Sequence, residues 1–188
     1  MPSKRVLPFD PVEEAGRQWS GRWPGADAMA VATSIMRVQQ LLLAGIDDAL
    51  RPFNLSFARY EALVLLLFTK RGVLPMSRMG ERLMIHPTSV TNIVDRLEGQ
   101  GLVKRTGHPT DRRTTLVEIT RSGRTVTRSA TDALTSIRFG LDGLGGPRLS
   151  ALYDLLREIR VGAGDLPPEG ATDGTLEAVT GAGHRRAG

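Results

Sequence analysis

The residues best suited to hydrogen-bonding chemistry follow Pro87, whose fixed φ suits the first position of a helix. Apolar residues recur after it at helical spacing and form one buried face: Val90, Ile93, Val94 and Leu97. The rest of the predicted helix surface is polar and includes Thr88, Ser89, Thr91, Asn92, Asp95 and Arg96. A helix with this division can pack on one side and offer donors and acceptors on the other.

The polar face has the composition of a contact surface. Ser, Thr and Asn are indifferent helix formers, so Glu, Lys or Gln would cost less if the face only met water. Short side chains let the backbone approach a ligand, and their donors and acceptors match base edges in the major groove of DNA. An idle polar face is the alternative interpretation. A short helix that Ser77 is expected to cap precedes this one, which predicts a helix-turn-helix.

A basic hairpin is predicted directly after the polar helix. Two runs rich in β-branched residues, 102–106 and 113–119, flank the turn-rich segment Gly107-His-Pro-Thr-Asp111. Arg112 and Arg113 stand at its tip, where they could follow the DNA backbone or enter a narrow minor groove. Arg105 on the first strand belongs to the same basic surface. Solubility charges without a partner are the alternative for these arginines.

Positive charge is concentrated in the middle of the chain. Residues 71–128 contain eleven Arg and Lys against five Asp and Glu, whereas the whole chain of 188 residues has a net charge of +5. The remainder therefore carries a net charge of about −1. Such a distribution is typical of a phosphate-binding surface, although a solvated basic face would look the same by charge alone.

Several function classes find no support in the sequence. The absence of cysteine excludes disulfides, thiolate metal sites and thiol redox chemistry. His86, His108 and His184 are the three histidines, and their spacing does not predict a metal site. The motifs of metalloproteases, serine hydrolases and phosphate-binding loops do not occur. We expect no stretch to approach the roughly 18 uncharged apolar residues of a membrane span, and the simple expectation is a cytoplasmic protein that is not an enzyme.

The elements around the polar helix are predicted to be helical. An apolar stripe extends from Ala28 to Leu50, and it is wider than packing against one neighbouring helix would require. A second, nearly all-apolar helix begins after Ser56 and stops at Gly72. Thr120 is expected to cap a long helix that reaches Leu141. Segment 142–146 then interrupts it, and Pro147 starts a last helix.

Two long motifs resemble the multiple-antibiotic-resistance regulator (MarR) family. They are His86-Pro-Thr-Ser-Val-Thr-Asn-Ile-Val-Asp-Arg-Leu-Glu98, followed by Gly101-Leu-Val-Lys-Arg105, and Asp111-Arg-Arg-Thr-Thr-Leu-Val-Glu-Ile-Thr120, followed by Gly123-Arg124. The resemblance implies an obligate homodimer joined by its first and last two helices, with Arg113 as the wing arginine of the minor groove. It also implies that Asp111 holds the wing tip through an ion pair and that Arg96 bridges to the wing or to a phosphate.

The sequence thus predicts a mainly α fold with a small β-hairpin wing: a winged helix-turn-helix with N- and C-terminal dimerisation helices. We expect an arm at 1–26, in which Trp19 and Trp23 pack on the body or form an effector pocket. The MarR-like domain covers 27–161, with the winged helix-turn-helix at about 54–120, and 162–188 form a disordered tail. The expected DNA-binding residues are Ser77, Pro87, Thr88, Ser89, Thr91, Asn92, Arg96, Arg105, Arg112 and Arg113, supported by Asp111.

The predicted function is a sequence-specific regulator of transcription. As a homodimer it would bind double-stranded DNA at a pseudo-palindromic operator. The resemblance to the family implies a repressor. No cofactor is expected, apart from a small aromatic or lipophilic effector of unknown identity. The alternative is a winged-helix architectural or protein-interaction module without strong sequence specificity.

Overall fold

The computed structural model describes residues 7–111 and 113–167 of the 188-residue chain. These residues form a mostly helical protein with a small antiparallel sheet, as predicted. The helices and strands are α1 (Pro11–Ser20), α2 (Ala26–Leu50), α3 (Phe57–Phe68), β1 (Val73–Pro75), α4 (Met76–Leu83), α5 (Pro87–Gly99), β2 (Val103–Gly107), β3 (Thr115–Ile119), α6 (Arg121–Ser136) and α7 (Gly146–Gly162). Short 3₁₀ turns at Arg51–Phe53 and Arg138–Gly140 follow α2 and α6.

The predicted helix starts have mixed outcomes. The Thr120 hydroxyl accepts a hydrogen bond from the Gly123 amide at 3.0 Å, which caps α6 as expected. Pro87 is the first residue of α5. The prediction for Ser77 is wrong, because α4 begins at Met76 with Pro75 as its N-cap residue, and Ser77 is already inside the helix. Pro75 has the extended backbone of a strand end, and α4 therefore begins directly after it, earlier in the chain than predicted.

The sheet has three strands in the order β1-β3-β2, and both pairings are antiparallel. Strands β2 and β3 are the predicted hairpin, with Arg105 opposite Val117. Strand β1 was not predicted, and it pairs Leu74 with Val117 from the other side. Three residues are too few to show alternation, and Pro75 is tolerated because the strand lies at the edge of the sheet.

The core lies between α3, α5, α6 and the sheet, where side chains such as Leu63, Leu97, Val117 and Leu134 are fully buried. Helix α2 joins this core only at its C-terminal end, through Ile46 and Leu50. Helix α7 buries none of its residues. The chain therefore has one self-contained lobe and two helices whose apolar faces lie largely outside it.

Helix α6 ends earlier than predicted. It was expected to reach Leu141, but it stops at Ser136, and Arg138 and Phe139 take positive φ angles of 45° and 54°. Gly140 follows at φ 80°, and a Cβ there would lie 3.1 Å from Leu42 of α2. The chain turns toward α2 at this glycine. The apolar residues that were predicted to continue the stripe of α6 as far as Leu141 therefore lie on a segment that runs in a different direction from the helix.

The segment Ala26–Phe53 is long and apolar enough to cross a membrane by length and composition. The expectation stated above used a different criterion. The expectation counted uninterrupted apolar residues, whereas an average over 18 residues tolerates an isolated charge such as Arg37. One such helix is weak evidence for a membrane span, since core helices of other proteins meet the same criterion.

Candidate nucleic-acid interface

Helix α5 has the two faces that its sequence predicts. Val90, Val94 and Leu97 are buried in the core, and Ile93 is partly buried against it. The other side of the helix is exposed along its length and carries Thr88, Ser89, Thr91, Asn92, Asp95 and Arg96. These polar side chains can therefore reach a ligand without any change in the packing of the helix.

The first turn of α5 is held by its own side chains. His86 is the N-cap residue, and its Nδ1 accepts a hydrogen bond from the Thr88 amide at 3.3 Å. The Thr91 hydroxyl donates to the Pro87 carbonyl oxygen at 3.2 Å, which is a common bond inside helices. Ser89 and Asn92 make no side-chain hydrogen bond among those that the structure describes. Their donors and acceptors are the most available on this face.

Arg105 joins the hairpin to α5. Its guanidinium donates at 2.5 Å to Asp95 and at 2.5 Å to Glu98, and its backbone amide donates to Glu98 at 2.8 Å. The backbone and side-chain hydrogen bonds from Arg105 hold the pKa of the Glu98 carboxyl below its ordinary value. We expected Arg105 to contact DNA. This geometry favours a positioning role, in which the arginine orients the wing relative to the helix.

The wing tip is organised around Asp111. Its carboxylate accepts hydrogen bonds from the Thr114 hydroxyl at 2.7 Å and from the Arg113 amide at 2.9 Å. Those two bonds, the Thr114 bond first, hold the pKa of Asp111 below its ordinary value. The carboxylate thus supports the tip by hydrogen bonds to the turn, and the expected ion pair of Asp111 stays a prediction. The Arg113 side chain is exposed, and Arg112 lies outside the described residues.

A basic groove of about 500 Å³ runs beside the polar face of α5. It is lined by Asn54, Ser56, Arg59, Asn92, Ile93, Arg96 and Gln100. Arg59 donates to the Ser56 hydroxyl at 3.2 Å, and Gln100 donates to the Asn54 carbonyl oxygen at 3.1 Å. Sequence reasoning found Asn92 and Arg96 but missed Arg59. No local signal in the sequence places Arg59 beside α5, because that placement depends on how α3 packs against α5.

An apolar groove of about 670 Å³ lies between α2, α7 and the start of α3. Its walls include Val31, Ile35 and Val38 of α2, Phe57 of α3, and Leu152 and Leu156 of α7. The two tryptophans do not line it. Trp19 and Trp23 pack on each other with ring centroids 5.0 Å apart, while α1 itself attaches through buried Val12. Within residues 7–111 and 113–167 no group of three His, Asp or Glu could hold a metal ion.

Comparison with known proteins agrees with this architecture. The family model "MarR family" matches residues 59–115, which contain α5, β2 and the hairpin loop and end at the first residue of β3. The organic hydroperoxide resistance transcriptional regulator of Bacillus subtilis (strain 168) is 33% identical over 110 residues, which are 56% of this chain and 73% of that protein. The chain belongs to the MarR family. The resemblance of its two motifs is thereby confirmed.

Solved structures extend the MarR match beyond the wing. Sco5413, a MarR family transcriptional regulator from Streptomyces coelicolor, is 50% identical with a TM-score of 0.71, and the match covers 77% of this chain and all of that chain. Sco3205 from the same organism, solved in complex with DNA, is 26% identical with a TM-score of 0.67, over 79% of this chain and 92% of that chain. Both are regulators of transcription, as is this MarR-family chain.

Proposed function

We propose that this chain is a homodimeric, ligand-responsive regulator that binds a pseudo-palindromic operator through α5 and the wing. The observation that carries the proposal is the exposed polar face of α5, to which the basic hairpin is fixed by Arg105. The regulator acts in the cytoplasm, where chromosomal DNA is found. Family membership and the DNA complex of the related Sco3205 support the same assignment.

The residues divide into base readers and phosphate contacts. Thr88, Ser89 and Asn92 are short, exposed and polar, which suits the edges of bases in the major groove. Arg59 and Arg96 line the groove beside them and suit a backbone phosphate. Arg113 projects from the wing and is placed to follow the backbone or the minor groove. Arg112, Ser77 and Pro87 complete the proposed surface.

Dimerisation would cover the apolar faces of α2 and α7. Met36 is 64% exposed and Leu155 is 59% exposed in the isolated chain, and such surfaces mark interaction sites. A two-fold dimer presents two copies of α5, so the half-site centres should lie about one helical turn, roughly 10 base pairs, apart.

The apolar groove between α2, α7 and α3 is the proposed effector site. Its lining suits a small aromatic or lipophilic compound. A ligand that binds there would contact both the proposed dimerisation helices and the lobe that carries α5. The Bacillus subtilis relative is named for organic hydroperoxide resistance. This chain has no cysteine, so a thiol switch cannot be its sensor.

A selection of bound sequences from random DNA, followed by footprinting, tests the proposal. We expect a motif with a dyad, and we expect Asn92→Ala to relax the preference at particular positions at a cost of about 1–3 kcal/mol on the operator and little on random DNA. Ser122→Ala, on the exposed surface of α6, is the matched control. Uniform binding without a dyad would instead support an architectural module.

A further inference from the structure

The tripeptide His-Pro-Thr occurs twice in this chain. His86-Pro87-Thr88 starts α5, and His108-Pro109-Thr110 lies in the loop between β2 and β3. The two copies therefore stand at the beginning of the recognition helix and in the wing, the two elements of the proposed DNA surface. Neither histidine has a role in the proposal above.

Both histidines use the same ring nitrogen within their own turn. The His86 Nδ1 accepts from the Thr88 amide at 3.3 Å and lies 3.1 Å from the Thr88 hydroxyl. The His108 Nδ1 accepts from the Thr110 amide at 3.3 Å and from the Asp111 amide at 3.2 Å. An acceptor nitrogen carries no proton, so the neutral imidazole must carry its proton on Nε2.

The turn also fixes where that proton points. Proline restricts the residue before it to extended backbone, and His86 adopts φ −61° and ψ 145°. Nε2 lies across the ring from Nδ1, so an N–H there is directed away from the turn. The ring hydrogen bonds that the structure describes for both histidines all end at Nδ1, and His86 is exposed while His108 is half-buried. In each turn Nε2–H is thus a ring donor that no described hydrogen bond uses.

We propose that the Nε2–H groups of His86 and His108 each donate a hydrogen bond to a phosphate oxygen of DNA. The inference rests on the proposed function and adds two contacts to it. A single fixed donor suits an anionic oxygen better than a base edge, which is read by paired donors and acceptors. A ring already held by its turn loses little freedom on binding. The two contacts would set how α5 and the wing sit on the duplex, independent of sequence.

Two substitutions at each position separate this role from a structural one. The Oδ1 of asparagine replaces the Nδ1 acceptor and caps a helix well, but asparagine has no group at Nε2. Glutamine places an N–H near Nε2 but caps poorly. We expect His86→Asn and His108→Asn each to lose about tenfold in affinity for operator and random DNA alike, equal to about 1.4 kcal/mol. The Gln variants should stay within about threefold of the parent protein.

If the histidines only stabilise their turns, the order inverts, so that the Asn variants bind like the parent and the Gln variants lose affinity. DNA titrations at several salt concentrations add a second readout. Loss of a neutral donor should leave the salt dependence unchanged, unlike loss of an arginine. His184→Asn, at the third histidine, is the matched control.

Thermal unfolding of each variant shows whether it is folded. If one position proves too unstable in the Asn form, the pair of variants at the other histidine decides. A parent protein that selects no DNA sequence would defeat the proposed function. A parent protein that binds its operator, together with Asn variants that bind as tightly, would overturn only the phosphate contacts.

Discussion

The central lobe and the end helices bury apolar residues to very different extents. Leu63, Leu97 and Val117 of the lobe are 0% exposed, whereas Met36 of α2 and Leu155 of α7 are 64% and 59% exposed. The lobe completes its own core. Helices α2 and α7 carry apolar residues as a core does, but no neighbouring element in the described part of the chain covers them. Such exposed apolar faces are typical of one half of an obligate interface in a single chain. Stability of the lobe and association of the chains should therefore respond to different substitutions.

The largest effect is expected inside the lobe. Leu97→Ala removes a fully buried side chain of α5 and should lower the free energy of unfolding by about 2–5 kcal/mol. Urea denaturation measures the loss. The volume-conserving Leu97→Met is the control and should cost less than about 1.5 kcal/mol. Equal effects of the two variants would contradict a close-packed lobe.

Association should fail when a charge enters the exposed apolar faces. Met36→Asp and Leu155→Asp should each weaken the dimer at least about tenfold, because every chain places the charge in the interface. Sedimentation equilibrium measures the change, and Met84→Asp, at a methionine of the lobe that is 73% exposed, should leave it unchanged. A parent protein that is monomeric at micromolar concentration would show that these faces have another partner.

Substitution of the two hairpin arginines, Arg113 and Arg105, should have different effects on DNA binding and on stability. Arg113→Ala should weaken binding to operator and random DNA alike and lower the salt slope by roughly one unit, with little change in melting temperature. Arg105→Ala should lower the melting temperature as well, because it breaks the bonds to Asp95 and Glu98.

Titrations at several salt concentrations, with melting curves, compare the two variants. Arg148→Ala, an exposed arginine of α7, is the control for loss of charge. If Arg113→Ala left affinity and slope unchanged, the wing would make no contact with DNA.

The smallest effect concerns the carboxylate that Arg105 engages. The pKa of Glu98 is lower in the folded protein than its ordinary value of 4.5, so its contribution to stability is present above that pH and is lost as the pH falls through the folded pKa. Glu98→Gln should therefore melt below the parent at about pH 7 and converge with it as the pH falls below the folded pKa. Glu158→Gln on α7 is the control, and a constant difference across this range would contradict the assigned bonds.

Periodicity and turn chemistry predicted most elements of the lobe. The faces of α5, the hairpin and the cap at Thr120 follow from local signals, which act within a few residues. Strand β1 was missed because its three residues form a strand only by pairing with β3, some forty positions away in the sequence. The early end of α6 was missed for a similar reason, since Gly140 turns where Leu42 approaches.

The proposed contact surface was predicted in part. The polar residues of α5 were predicted from their type and spacing. Arg59 was missed because it reaches the same groove from α3. The role of Arg105 depended on where two carboxylates would lie once α5 and β2 had packed. Contacts between elements are set by tertiary packing, which residue spacing along one element does not encode.

Helix α6 also has a mechanical consequence. Its first turn is locked to the base of the wing, where the Thr120 hydroxyl donates to the Gly101 carbonyl oxygen at 2.8 Å, and a Cβ at Gly123 would strike the Leu102 carbonyl. Its other end runs into the turn beside α2. A helix of 16 residues is about 24 Å long, so a tilt of about 5° at one end displaces the other by about 2 Å. A tilt of α6 imposed beside α2 would therefore move the base of the wing by about that distance, which would change where the wing meets DNA.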